Sequence, residues 1–173
     1  MKKMLFAAMA AMLLLVGCKK QPSVVNTCLV EDYAYVQQQY EGQDVLFYEA
    51  EITLNESPAK AGKKAQPLLV REVFQVGHTV VFIDRDYTTG NFTLSEKDGY
   101  WLEDVEFDPN GLADFNDALK ALLKSEYKAP DAVFVTLRNP LGPIPYLYPF
   151  YIFGSNHTSF IAVNAKTLVV ERF

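Results

Sequence analysis

Residues 45–54, VLFYEAEITL, constrain this chain more than any other stretch. Aromatic and β-branched residues crowd it, and its second half alternates, with Ala50, Ile52 and Leu54 set against Glu49, Glu51 and Thr53. Successive side chains of a strand point to opposite faces, so this run is a strand with one buried face and one wet face. Four further short runs, at 68–76, 79–84, 91–95 and 100–107, continue the pattern. Gly77-His78, Thr88-Thr89-Gly90 and Lys97-Asp98-Gly99 supply the turns, where glycine tolerates positive φ. The spacing predicts an antiparallel meander. Residues 56–67, ESPAKAGKKAQP, show no apolar period and carry Lys60, Lys63 and Lys64. They read as an exposed loop, with a basic docking loop as the functional alternative.

A different period takes over near Asn110. Leu112, Phe115, Leu119, Leu122 and Leu123 recur at helical spacing, while Asp117, Lys120 and Lys124 fall elsewhere. Asp114 and Asp117 suit a helix start, as cap or as first-turn acids, and the helix should stop near Tyr127, before Pro130. Residues 29–40 are ambiguous: Val30, Tyr33, Ala34 and Tyr40 fit a helical face, yet Tyr33 and Tyr35 also alternate. A short helix is the preferred reading. The tail returns to strands at 132–137, 146–153, 160–163 and 168–171. Pro149 has no N–H to give a ladder, which predicts an edge or a bulge for its strand. Lone hairpins are marginal in water, so each helix should pack on one sheet face. The expected class is α+β, antiparallel meanders packed against one or two helices, in a doubled helix-plus-sheet unit with lobes 28–110 and 111–173.

The opening MKKMLFAAMAAMLLLVGC places Lys2 and Lys3 before an uncharged apolar run from residue 4 to 16. A bilayer-spanning helix needs about 20 residues, so the run is better suited to an export signal. Leu15-Val16-Gly17-Cys18 resembles the bacterial lipobox, an aliphatic–small–small–Cys pattern cleaved before the cysteine. The resemblance implies a signal peptide over 1–17, acylation of Cys18, a tether over 18–27 and a domain over 28–173. It also implies a lipid bilayer as one partner, with the outer membrane favoured over the inner because Lys19 and Lys20, not Asp, follow the cysteine. Several acyl chains together anchor stably.

Without the first 17 residues, the chain holds 14 basic and 21 acidic residues over 156 positions, a net charge of about −7. That balance repels phosphate backbones and excludes nucleic acid as a partner. With Cys18 acylated, Cys28 is the one remaining thiol, so no internal disulfide forms, and Cys28 reads as a small buried residue.

Residues 111–173 resemble a PepSY-like module, the α-then-β-meander unit of secreted bacterial proteins. The likeness is carried by DFNDALKALLKS, AVFVTL and the closing SFIAVNAKTLVVERF. Asn164 and Leu168 stand where that family has Asp and a turn Gly, and residues 139–149 form an added Pro-rich segment. The resemblance implies inhibiting or holding other proteins, with no catalytic residues.

A search for chemistry finds little. His78 and His157 lie in turn contexts, and no H-E-x-x-H, C-x-x-C or G-x-S-x-G pattern occurs. Asp108-Pro109-Asn110-Gly111 with Asp114 offers three or four oxygens to a cation but lacks the full calcium-loop spacing. A solvated face leading into a capped helix is the preferred reading, and no metal or cofactor is expected. The aromatic cluster Tyr146, Leu147, Tyr148, Phe150, Tyr151, Phe153 is the more suggestive feature. Tyrosine pairs a large apolar face with a polar tip, which suits interfaces as well as sheet cores. Tyr146, Tyr148 and Phe150 are the candidate partner-binding residues, on the face opposite Tyr151. The expected function is therefore a membrane-anchored, non-catalytic binding or inhibitor-like module acting on another envelope protein or a small ligand. The alternatives are an assembly component of an envelope complex and, more weakly, an enzyme using the acidic face with a divalent metal.

Overall fold

A computed structural model describes residues 23–140, 148–154 and 160–172. The chain runs α1 (Val24–Gln39), β1 (Val45–Leu54), α2 (Pro58–Ala61), a 3-10 turn (Gly62–Lys64), β2 (Pro67–Val76), β3 (Thr79–Asp86), β4 (Phe92–Asp98), β5 (Asp104–Val105), α3 (Phe115–Lys124), β6 (Phe134–Pro140), β7 (Phe150–Phe153), β8 (Ile161–Asn164) and β9 (Val170–Arg172). The strands form one sheet in the order β4-β3-β2-β1-β6-β7-β8-β9, with β5 paired to β6 off this path. Every pairing is antiparallel.

The order is a helix followed by a four-strand meander, made twice. The first strands of the two meanders, β1 and β6, pair antiparallel from Thr53↔Phe134 to Glu49↔Arg138. The α+β class and the doubled unit are therefore both present, but the two units share one continuous sheet. Both helices cover the same face. Val25, Leu29 and Val36 of α1 and Phe115, Ala118, Leu119 and Leu122 of α3 join Phe47, Ala50, Ile52, Phe74, Val81, Leu137, Tyr151 and Phe153 in a single core.

α3 follows its sequence pattern: Asp114 caps it by accepting from Asn116 N at 2.9 Å, and its buried residues fall at i, i+3, i+4 and i+7. It ends at Lys124, one turn before the expected stop. α1 starts at Val24, inside the expected tether, because Ser23 caps it through its hydroxyl, which accepts from Asn26 N. The two helix starts are latched together. Asn26 Oδ1 accepts from Phe115 N at 2.8 Å, and Ser23 N donates to the Asp114 carboxylate.

Three further expectations are corrected. Residues 56–67 hold α2 and a 3-10 turn, with Pro58 buried at the first helical position, where its missing N–H is harmless. The strand expected over 100–107 shrinks to Asp104–Val105. The strand after Pro149 is neither edge nor bulged: β7 lies between β6 and β8. Pro149 sits one residue ahead of the ladder, so the sheet asks it for no N–H, and its carbonyl accepts from Ala165 N at 2.8 Å.

Candidate binding face

Of the sequence candidates, Cys18 and Tyr146 lie outside the described residues, as does His157. Tyr148 is exposed, whereas Phe150 is buried, packed with Ile152, Ala162 and Phe160 on the sheet face away from the helices. The strand alternation is as expected, since Tyr151 points into the core and its hydroxyl donates to Ala113 O at 3.0 Å. Tyr148 and Phe150 do not form a joint exposed edge, because an interior strand has none to offer. Asp108 is spent on its own turn, accepting from Asn110 N at 2.9 Å, and Asp114 is spent on the cap. Among the described residues no group of three or more His, Cys, Asp or Glu could hold a metal ion. His78 meets the Tyr100 hydroxyl at 2.9 Å on an exposed turn.

What the structure adds is the sheet face opposite the helices. Its residues line up in rows across the strands. One row reads Thr93, Asp84, Arg71, Glu51, Thr136, Ile152, Ala162 and Glu171, crossing all eight strands of the path. The neighbouring row reads Asp86, Leu69, Thr53 and Phe134.

One half of this face is covered by its own chain. The segment 99–107 crosses it as a strap after β4. Gln75 Nε2 donates to the carbonyls of Gly77, Thr79 and Gly99, and Gln75 Oε1 accepts from Trp101 N at 2.8 Å. Trp101 packs edge-on to Phe82 and donates from Nε1 to Asp104. Asp104 in turn accepts from Arg138 at 3.3 Å. β5 fits where β1 and β6 part: the β1 bulge between Phe47 and Glu49 ends their ladder, and Phe107 N then donates to Phe47 O. Glu49 and Asp104, both buried, share a hydrogen bond. Burial first, then the Asp104 carboxyl, push the Glu49 acid up to about 9, so the pair holds a proton at neutral pH.

Beyond the strap the face is open over β1–β4, whereas Ile152 and Ala162, further along the first row, are buried. A groove of about 560 Å³ runs along it, lined among others by Glu51, Thr53, Leu69, Arg71, Asp84 and Asp86. Leu69 is 52% exposed and Phe134, across Thr53 from it, is 53% exposed. Arg71 grips Asp84 with two hydrogen bonds at 2.7 and 3.2 Å and lies over the Phe82 ring. Surface pairs contribute little stability, but a two-pronged pair on a sheet holds its charges in place. Sequence alternation marks these positions as outward; only the pairing register shows that they are neighbours.

No family model matches the chain, and no curated protein matches it. Among solved structures, the chain is similar to a crystal structure from Clostridium difficile 630 whose protein is provisionally named a lipoprotein. The TM-score is 0.50 at 15% identity, over 84% of this chain and 92% of that one. At that identity the likeness concerns the fold.

Proposed function

We propose that this protein is a lipid-anchored envelope protein that acts as a non-catalytic binding module, and that it binds through the helix-free sheet face. The observation that carries the reading is the open half of that face. It is a rigid, hydrogen-bonded platform built from both meanders, with two large apolar side chains exposed beside a fixed ion pair. Exposed apolar groups rimmed by polar ones mark interaction surfaces. The anchor rests on the lipobox, and the lipoprotein name of the similarly folded Clostridium difficile protein agrees with it. Among the described residues no helix is long and apolar enough to cross a membrane. The order of α3 and the last meander is also the order of a PepSY-like module, whose suggested role is holding other proteins.

Two measurements test this. Cys18→Ser should leave the protein unprocessed or released from membranes; a membrane-bound variant of mature size would contradict the anchor. Leu69→Asp combined with Phe134→Asp should abolish co-purification of the partner from detergent extracts while the melting temperature stays within a few degrees, since both side chains are exposed. Unchanged co-purification would contradict the binding face.

A further inference from the structure

We infer that the open face takes a basic, extended polypeptide segment whose sheet-facing side chains, every second residue, include both cationic and apolar ones. The inference rests on the binding reading above and names the chemistry of the partner.

The charges along the groove are three carboxylates, Glu51, Asp84 and Asp86, and two guanidiniums, Arg71 and Arg85, of which Arg85 is held by Asp32 on the core side. Arg71 is already committed to Asp84. That leaves the groove with a net negative charge, carried by Glu51 on one side of the pair and Asp86 on the other. Asp86 is fixed in place, because its Oδ1 accepts from Thr88 N, Thr88 Oγ1 and Thr89 N. Adjacent strands lie about 4.8 Å apart. Asp84 and Glu51, two strands apart, are thus about 10 Å from one another, and Asp86 to Phe134 spans about 14 Å. In the second row the anionic Asp86 is followed by Leu69, Thr53 and Phe134. A segment lying across the strands therefore meets carboxylates toward β3 and apolar surface toward β6. An extended chain repeats its side chains on one face every 6–7 Å, a spacing that fits such a patchwork.

Other occupants fit less well. Nucleic acid and anionic lipid heads would meet carboxylates. A second copy docking through the same face would bring two net-negative patches together, since a two-fold contact joins identical patches. Small-molecule sites are concave and bury most of their ligand, whereas this groove runs along an exposed sheet.

The test uses the mature lipidated chain in detergent micelles and two capped synthetic hexapeptides. One carries lysine, leucine and lysine at every second position with serine between them, so that all three share one face of the extended chain, and the other carries glutamate in place of each lysine. The lysine peptide should bind, and the glutamate peptide should not. Glu51→Gln with Asp86→Asn, which keeps the turn acceptor but removes the charges, should weaken lysine-peptide binding at least tenfold at unchanged melting temperature. Glu41→Gln with Glu126→Gln, exposed acids elsewhere, should leave it unchanged. Equal weakening by both pairs would mean unspecific charge attraction and would overturn the inference. Binding of the glutamate peptide, lost in Leu69→Asp, would overturn the basic chemistry while leaving the face intact. If neither peptide binds yet Leu69→Asp with Phe134→Asp still abolishes partner co-purification, the inference fails and the binding reading stands. If that co-purification is also unaffected, both fail.

Discussion

At the scale of single residues, the most informative is Glu72. It sits on the core side of β2, fully buried, beside Asp32 of α1, which is paired with Arg85 of β3. Its two carboxyl oxygens find no donor in hydrogen-bonding geometry. Burial, and then the Asp32 carboxylate, raise its acid well above the ordinary range, so the folded protein keeps the proton. Glu49 behaves likewise up to about 9. A folded-state pKa raised above the unfolded value of about 4.5 means the folded state binds more protons, so stability falls as pH rises from about 4.5 towards the folded values. Urea unfolding from pH 5 to 9 should show this decline, and Glu72→Gln, which keeps a neutral side chain at every pH, should flatten it. An equally steep decline in Glu72→Gln would mean other groups carry it. Leu168 offers a second case. It has φ of +62°, the left-handed conformation glycine adopts freely, at the position where the PepSY-like pattern has its turn glycine. Leu168→Ala loses packing and keeps the strain, whereas Leu168→Gly loses packing and relieves it. The glycine variant should be the more stable of the two by about 1 kcal/mol in denaturant unfolding.

At the scale of elements, legibility in the sequence follows how apolar the buried stripe is. α3 is plain because Phe115, Ala118, Leu119 and Leu122 are all apolar. Leu119→Ala should cost about 2–5 kcal/mol through lost contacts and the cavity left behind, and a loss below about 1 kcal/mol in chemical denaturation would place that face outside the core. α1 is obscure because its stripe, Val25, Cys28, Leu29, Asp32 and Val36, includes a carboxylate, while Val24 and Val30 face solvent. The Asp32–Arg85 pair that explains this is made across 53 residues and leaves no local trace. The first strands were readable for the same reason as α3. β5 is legible only as part of a longer strand over 100–107: its extent is set by Trp101 and Asp104, which Phe82, Gln75 and Arg138, all distant in the chain, hold in place. Pro149 misled because a proline next to a ladder and a proline within one look identical in sequence.

At the scale of the whole molecule, the order of helix and strand runs implies the doubled unit but not how its halves join. The β1–β6 pairing makes one platform of two meanders, and the Ser23–Asp114 and Asn26–Phe115 contacts brace the helices on its far side. The aromatic cluster was the visible signal for a site, yet in the described residues most of it is packing. The site itself is assembled from Glu51, Leu69, Arg71, Asp84, Asp86 and Phe134, which are ordinary outward strand residues until the register brings them together. Four residues separate Cys18 from Ser23, a reach of no more than about 18 Å over five steps, so an acylated Cys18 would hold the Ser23 end of α1 close to the bilayer. Photo-cross-linking in intact cells tests the account most directly. A photoreactive residue in place of Thr53, which lines the groove between Leu69 and Phe134, should give a discrete heavier adduct, and one in place of Gln38, exposed on α1, should give none. Adducts from Gln38 alone, or from neither position, would contradict the sheet face as the binding surface.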